Sequence, residues 1–442
     1  MFKLRNVFGI SANVGSPSYV DRGGLDKLFE RALVSDRHIA VHGGSKQGKS
    51  WLRARGLPDD QTLLVQCTPS STPASLLAEA LGRLGVSATL STTKSKEISG
   101  SLDFRAAIEL GKLIAKAKAE GHGSVQGSLE STTELEPVGQ TSADLLWVAL
   151  TIRESGRRLV LEDFHYLSQD AQSEFAFMLK AMGEYGLFVV VVGVWPRDHL
   201  LSYFNGDLDG RIVDIHLMWS NAELTRVVSQ GSSALNVMIS NQIEQQMVRD
   251  AYGSVGLLQR LAEGYLLAEG VTAATSGSRQ RQLTGGTNYL LAREEVANQM
   301  QGRYQTFADN FVRGMRRLPE GLEVYKHILQ TATEATDDEL IDGIDSAILL
   351  QRVLDHEGAD AIRASDLTQA LDRIDRLQMK IGVNPVVLTY NRSDRKLFLA
   401  DRSFLFYRQH SSQTWPWSQG EPEIVNDLYI QEPLNFDFDL EE

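Results

Sequence analysis

Short apolar runs alternate with helix-like patterns through the first half of the chain. Four runs have the character of buried strands: "HIAVHG", "TLLVQCT", "LVLEDFHYL" and "GLFVVVVGVW". Between them, "TPASLLAEALGRLG" and "DAQSEFAFMLKAMGEYG" repeat apolar residues at helical spacing. Strands that alternate with helices predict a parallel sheet with both faces covered, and the β-branched run Val189–Val192 is typical of a central strand. The pattern therefore predicts an α/β domain over residues 1–218.

The segment 91–141 interrupts this alternation and allows two interpretations. "FRAAIELGKLIAKAKAE" fits a helix, whereas residues 115–131 alternate small and polar side chains as a β-hairpin does. We favour a flexible surface hairpin. Such a hairpin would either contact partners or other subunits, or be a mobile loop, and the mobile loop is the simpler interpretation.

Residues 219–271 predict a small helical lid. Ser220 or Asn221 can cap its first helix, with Glu223 in the first turn. The next stretch, 272–302, starts with "TAATSGSRQRQLTGGTNYL" and is rich in Ser, Thr and Gly, which predicts a linker.

Residues 303–411 predict a winged-helix domain, because three helical patterns precede a hairpin and a final strand. Its third helix, capped by Ser365, is "DLTQALDRIDRLQMKIG" and carries Arg373, Arg376 and Lys380 on one face. A DNA-reading helix presents such residues to bases and phosphates, so double-stranded DNA is a candidate partner. The acidic residues Asp372 and Asp375 interrupt this face, and the alternative is a domain that docks on protein or acts as a spacer.

Charge and composition limit the function classes. The net charge of −13 argues against nonspecific nucleic-acid binding by the whole 442-residue chain, although one basic face stays compatible with it. Residues 412–442 form an acidic tail with eight acids and no Lys or Arg, which is either disordered or docks as a peptide. One cysteine, Cys67, excludes an intrachain disulfide. The sequence predicts no membrane helix and no signal peptide, and we expect a cytoplasmic protein.

The first strand runs into "GGSKQGKS", which fits the phosphate-loop (P-loop) pattern G-x-x-x-x-G-K-[ST]. Backbone N–H groups of such a loop bind phosphate oxygens, the lysine reaches the β- and γ-phosphates, and the serine binds Mg²⁺. The sequence thus predicts an ATP and Mg²⁺ site, and its residues are Gly43, Gly44, Ser45, Lys46, Gln47, Gly48, Lys49 and Ser50.

A second strand ends in a pair of acids, Glu162 and Asp163. An acid at this place can hold Mg²⁺ together with Ser50, and its neighbour can orient the attacking water. We assign the metal to Glu162 and the catalytic base to Asp163. The usual order is Asp before Glu, and the reversed order with the shorter base predicts slow hydrolysis.

These segments, together with "SYVDRGGLDKLFERAL" and "DLDGRIVDIHL", resemble AAA+ ATPases of the origin-recognition/Cdc6 type and the related signal-transducing (STAND) NTPases. The resemblance covers roughly residues 10–410. It implies ATP sites between the subunits of a homo-oligomer, with Arg211 as the arginine that completes a neighbour's site.

The chain departs from that family at two places. Gly193, Val194 and Trp195 stand where a polar sensor residue is expected, and Gly256 stands near the usual sensing arginine, with Arg260 one turn on. Both departures favour slow hydrolysis or a switch over a fast motor.

Three hypotheses follow for the function. The first is an ATPase switch that oligomerises and recruits a protein partner, which by fold analogy would suit phage defence or mobile-element control. The second is a DNA-binding or DNA-loading ATPase that uses the winged helix. The third is a scaffold that keeps ATP bound without hydrolysing it.

Overall fold

The computed structural model describes residues 2–9, 17–86, 144–195, 199–314, 323–383, 385–412 and 414–418. The predicted hairpin within 91–141 and most of the acidic tail lie outside these residues.

A five-stranded parallel sheet forms the centre of the first half. Its strands are β1 (His38–His42), β2 (Thr62–Gln66), β3 (Arg158–Glu162), β4 (Val190–Val192) and β5 (Ile212–His216). They lie in the order β2-β3-β4-β1-β5. The α/β prediction is confirmed, and β5, which the apolar pattern alone did not single out, is added at the edge next to β1.

Helices cover both faces of this sheet, because alternate strand residues point to opposite sides. The short α1 (Leu4–Val7) packs instead with the helices that follow the sheet. The covering helices are α2 (Leu25–Leu33), α3 (Lys49–Gly56), α4 (Pro73–Arg83), α5 (Leu145–Glu154), α6 (Gln169–Glu184) and α7 (Leu200–Phe204). On one face Leu161 and Val191 pack with α4, α5 and α6, and on the other Val160 and Val190 pack with α2 and α3.

The segment after the sheet is helical, as the sequence predicts. It contains α8 (Asn221–Ala234), β6 (Val237–Ile239), α9 (Asn241–Asp250) and α10 (Val255–Ala268). Ser220 is the N-cap of α8: its side chain accepts from the Glu223 N–H, and the Glu223 carboxylate accepts from the Ser220 N–H.

Residues 272–302 do not form the continuous linker that their composition predicted. Strand β7 (Arg281–Leu283) pairs with β6, and Gly286 begins the 28-residue helix α11 (Gly286–Arg313). The Ser/Thr/Gly-rich composition ends where Tyr289, Ala292 and Val296 begin to recur at helical spacing and become buried.

The C-terminal domain contains α12 (Val324–Glu334), α13 (Asp337–Asp342), β8 (Ile344–Asp345), α14 (Ser346–Leu354), α15 (Ala364–Asp372), α16 (Ile374–Lys380), β9 (Leu388–Asn391), β10 (Lys396–Leu399) and α17 (Ser403–His410). The three strands form an antiparallel sheet in the order β8-β10-β9.

Three predictions for this domain were wrong. Ser365 does not cap the predicted third helix, because α15 begins at Ala364 with Arg363 at the N-cap position. The predicted third helix is split at Arg373, whose backbone has φ −107° and ψ 0°. Its second half is fixed separately by the buried Gln378, which bonds to the backbone of Val387 and Leu388. The predicted final strand is shorter than expected and is followed by helix α17, because Asp401 caps a new helix at Ser403.

Across the described residues, no helix combines the length and the apolar character needed to cross a membrane.

Candidate functional site: the phosphate loop and its surroundings

The loop between β1 and α3 has the backbone that a phosphate site requires. Gly43 has φ +131°, and a Cβ there would lie 2.5 Å from the Leu217 carbonyl oxygen. Gly48 has φ +82° and lies directly before α3. A side chain at Gly43 would push the loop off the end of β5, so the glycine permits the close approach that sets the loop's path.

Lys49 and Ser50 open α3, where free backbone N–H groups attract anions. Lys49 is buried, and its Nζ donates to the Gly44 carbonyl oxygen at 2.6 Å. Burial lowers the pKa of Lys49 to about 8, against the opposing effect of Asp163 and Glu162. A phosphate that binds here would give the Lys49 ammonium a negatively charged partner.

Glu162 ends β3 beside Ser50. The Ser50 hydroxyl donates to Glu162 Oε2 at 3.3 Å, and Arg53 Nε donates to Glu162 Oε1 at 3.3 Å. Burial raises the pKa of Glu162, and Arg53 opposes that rise. A hydroxyl and a carboxylate at this distance are oxygen ligands of the kind that Mg²⁺ takes, so Ser50 and Glu162 fit the metal that was assigned to them.

Arg53 is a residue that the sequence analysis missed. It lies one turn after Lys49 and bonds both Glu162 and Asp59. The sequence signal that could have identified Arg53 was its position one helical turn after Lys49.

Asp163 follows Glu162 with a left-handed backbone, φ +57°. Gln66 Nε2 donates to Asp163 Oδ2. Burial raises the pKa of Asp163, while Gln66 and Lys49 oppose the rise. Gln66 was also missed, although it ends β2 in register with Glu162 on the neighbouring strand.

His165 lies beside Glu162 and Asp163 and forms a hydrogen bond to the chain just after β4. Its Nδ1 accepts from the Val194 N–H at 3.2 Å. Burial, aided by Lys49, lowers the pKa of His165 to about 3. His165 is therefore a neutral imidazole. It also lines the cavity beside the P-loop that is described next.

A cavity of about 410 Å³ lies against the P-loop and has the volume of a small-ligand site. Its walls come from the segment before α2, from the P-loop and from the helical segment after the sheet; they include Tyr19, Arg22, Trp219, Val255 and Gln259. We call it the loop cavity.

Arg22 and Trp219, which the sequence did not single out, form a clamp on this cavity. The Arg22 guanidinium lies 4.3 Å from the centre of a Trp219 ring. Both donate to the Gln47 carbonyl oxygen, Arg22 at 2.7 Å and Trp219 Nε1 at 3.1 Å. Burial lowers the pKa of Arg22.

Three consecutive P-loop residues are bonded to three other parts of the chain. The Ser45 N–H donates to the Ala400 carbonyl oxygen in the C-terminal domain at 3.0 Å. The Lys46 carbonyl oxygen accepts from the Gly256 N–H in α10 at 3.2 Å. Gln47 is held by the clamp. A Cβ at Gly256 would lie 2.8 Å from the Lys46 Cβ, so glycine allows this contact.

The buried Asp401 anchors the C-terminal side of this arrangement. It accepts from Arg303 at 2.6 Å and from the Tyr304 hydroxyl at 2.9 Å, and it caps α17. Burial raises the pKa of Asp401, but Arg303 and Lys46 outweigh it and the pKa is lowered overall. Ala400, which bonds the P-loop, is thus next to a fixed charge.

The other predicted site residues lie elsewhere. Arg211 precedes β5 at the edge of the sheet opposite to the loop, and it pairs with Glu184 at 3.7 Å. Arg373, Arg376 and Lys380 are exposed on the C-terminal domain. Within the part of the chain that the structure describes, no group of three or more His, Cys, Asp or Glu side chains forms a metal site.

Comparison with solved structures places the fold. The Walker-type ATPase PABY2304 of Pyrococcus abyssi matches with a TM-score of 0.52 and 13% identity, over 91% of this chain and 99% of that one. Cdc6p of Pyrobaculum aerophilum has a TM-score of 0.35 at 12% identity (90% and 98% covered). RuvB of Thermotoga maritima has a TM-score of 0.35 at 13% identity (88% and 94% covered). No family model and no curated protein matches the sequence. The chain shares the fold of the Pyrococcus abyssi Walker-type ATPase over nearly the whole length of both proteins.

Proposed function

We propose that this protein is an ATP-operated switch, in which the phosphate loop reports its occupancy to the lid and to the C-terminal domain. The observation that carries the proposal is the set of contacts at Ser45, Lys46 and Gln47. Backbone hydrogen bonds leave little freedom for one partner to move without the other. A change in the path of the loop therefore acts on all three parts.

The bound nucleotide is ATP with Mg²⁺. Lys49 exchanges its bond with the Gly44 carbonyl oxygen for the β- and γ-phosphates, and the N-terminus of α3 adds its free N–H groups. Ser50 and Glu162 would hold Mg²⁺, which would supply positive charge to the phosphates. The clamp of Arg22 and Trp219 bears on the same loop from the side of the lid.

Hydrolysis is slow in this proposal. Asp163 is the residue placed to orient a water, and its carboxylate is engaged by Gln66. The Gln66 amide holds one oxygen of this carboxylate and makes it a weaker base, which slows the transfer of a proton from that water. Arg211 lies far from the loop of its own chain and serves a neighbouring subunit's site in a homo-oligomer. Assembly in turn presents a surface to a protein partner.

Mass photometry of the full chain tests the proposal. Wild type and Lys49→Ala are measured without nucleotide, with ATP and with ADP. We expect ATP to shift the wild type to a larger species and to leave Lys49→Ala unchanged, because the variant lacks the ammonium that reaches the phosphates. Lys27→Ala, which removes an exposed lysine on α2, should behave as wild type. The same species in every condition would contradict the switch and favour a preassembled scaffold.

A second candidate function is DNA binding by the C-terminal domain. The order of its helices and strands, with the β8-β10-β9 sheet, supports the winged-helix prediction. Arg373, Arg376 and Lys380 are exposed, and Arg392 and Arg395 are exposed in the neighbouring β9–β10 turn. Together they favour a phosphate-contacting surface on duplex DNA.

A further inference from the structure

A second and larger cavity, of about 580 Å³, lies on the other side of the P-loop. It opens between the ends of β4 and β5 and the β9–β10 hairpin of the C-terminal domain. Gly44, Gln47 and Ala400 belong to its wall. We call it the interdomain cavity.

The Gln47 side chain gives this cavity an unsatisfied acceptor. Gln47 is 2% exposed, and among the described residues its Oε1 has no hydrogen-bond partner. A Cβ at Gly44 would lie 3.5 Å from both Gln47 Nε2 and the Ala400 carbonyl oxygen. Gln47 itself lines both cavities, but its Nε2 lies on the Gly44–Ala400 side of the loop, and Gly44 and Ala400 line the interdomain cavity alone.

Trp195 gives the cavity an unsatisfied donor. It is 5% exposed, and its Nε1 has no partner within the described part of the chain. A buried polar atom without a partner costs free energy that a ligand can recover. An acceptor and a donor among the lining residues match a ligand edge that carries both a donor and an acceptor, as an amide or a nucleobase does.

Aromatic rings on both sides suit a flat ligand. On the sheet side, Trp195 and His216 stack on opposite sides of the His42 ring, at centroid distances of 5.1 and 4.7 Å. On the side of the C-terminal domain, Phe398 lines the cavity. Rings of this kind favour planar, polarisable molecules.

The charges in the wall argue against a phosphorylated ligand. Among the described lining residues, Asp342 and Asp394 oppose the Arg402 guanidinium, which already donates to the Tyr252 carbonyl oxygen at 3.3 Å. Two carboxylates repel a phosphate dianion, while Thr389 and Asn391 offer neutral hydrogen-bonding groups.

We propose that the interdomain cavity binds a nucleobase or its unphosphorylated nucleoside, between the Trp195 side and the Phe398 side. Gln47 and Trp195 pair with the base edge, and the β9–β10 hairpin supplies the remaining polar contacts.

Binding in the interdomain cavity affects the ATP-operated switch. This consequence rests on the proposed function. Gln47 and Ala400 are shared between this cavity and the contacts of the P-loop. A ligand that reorders Gln47 alters the loop, and it makes nucleotide affinity depend on a second small molecule.

Isothermal titration calorimetry tests the site on the full chain. The protein is first saturated with Mg-ADP, so that the loop cavity is filled, and is then titrated with adenosine, guanosine, cytidine or uridine and with the matching monophosphates. We expect one nucleoside to bind with 1:1 stoichiometry and more tightly than its monophosphate.

Matched variants test whether the measured heat of binding comes from the interdomain cavity. Met218 lines it and is 55% exposed, so Met218→Trp should fill the entrance and weaken binding at least about tenfold. Met238, 47% exposed on β6 and outside the wall, provides the control Met238→Trp, which should bind as wild type. Trp195→Phe keeps a ring but removes the donor, and should weaken binding roughly two- to tenfold.

Three results would overturn the proposal. They are the absence of binding for all four nucleosides, equal binding by Met218→Trp and wild type, and tighter binding of the monophosphate. The initial ADP titration is scored separately, so failure of the nucleotide site is distinguishable from failure of this one.

Discussion

At the scale of single residues, burial decides which side chains around the P-loop carry charge. Lys49 and His165 both lose solvent, and the pKa of each is lowered, to about 8 and about 3. Lys49 keeps its proton at neutral pH, whereas His165 does not. The loop thus has a cation ready for phosphate next to an imidazole that serves as an acceptor for the Val194 N–H.

The pKa of His165 predicts how stability depends on pH. A histidine with a pKa of 6.5 when unfolded and about 3 when folded is protonated first in the unfolded chain as pH falls. The free energy of unfolding should therefore decrease below pH 6.5, by about 1 kcal/mol per pH unit from this group, until the folded pKa is reached.

Urea unfolding at pH 7, 6 and 5 measures this dependence. His165→Asn keeps an acceptor for the Val194 N–H but cannot be protonated, so its stability should fall less steeply with pH than that of wild type. Parallel curves for the two proteins would show that His165 does not titrate in this way. The other groups that titrate in this range are common to both proteins and cancel in the comparison.

At the scale of elements, the split between α15 and α16 decides which basic residues can reach a partner. Arg373 lies at the break, whereas Arg376 and Lys380 belong to α16. Asp372 is paired with Arg392 of the β9–β10 turn at 2.7 Å, which draws the turn towards α15. The exposed cations of the two elements therefore share one region of the domain.

We expect this region to contact DNA phosphates if the second candidate function is right. The double variant Arg373→Ala/Arg376→Ala should then bind a duplex roughly tenfold more weakly, and the slope of log K against log salt should decrease in magnitude by about 2. Fluorescence anisotropy over a salt series measures both quantities. The control Arg226→Ala/Arg279→Ala removes two exposed arginines from other segments. Unaltered DNA affinity in the first variant would exclude this surface.

At the scale of the whole molecule, one buried carboxylate joins the long helix, the C-terminal domain and the P-loop. Asp401 bonds Arg303 and Tyr304 of α11 and caps α17, and the preceding residue bonds Ser45. Loss of its charge would leave the partly buried Arg303 guanidinium with less compensation.

We expect Asp401→Asn to lower the free energy of unfolding by about 3 kcal/mol and to speed the release of bound ADP. The stability loss follows from the uncompensated arginine, and the faster release follows from a looser Ala400–Ser45 contact. Chemical unfolding and the off-rate of a fluorescent ADP analogue measure the two effects. Asp207→Asn, which removes an exposed partner of Lys180, should change neither. A stable variant with an unchanged off-rate would contradict the role given to Asp401.

Local sequence patterns were enough to predict much of the fold and part of the site. The apolar runs located four strands, and the Ser220–Glu223 pair predicted the start of α8. Such signals are local, because strand burial, helix capping and the glycine turn of the P-loop depend on a few neighbouring residues. They did not reveal the fifth strand, the break at Arg373 or the start of α11 within the expected linker, since each depends on distant packing.

The sequence by itself determined the loop from Gly43 to Ser50 and the acids at the end of β3, because residue types and their spacing along the chain are enough to recognise both. Only the tertiary structure decided what surrounds them. The surrounding residues come from distant places in the chain, and none belongs to a short sequence motif. They are Arg22, Gln66, Trp219 and Ala400. They meet at the loop because a parallel sheet brings the ends of its strands to one edge. The helices after the sheet and the C-terminal domain contact the loop at that edge.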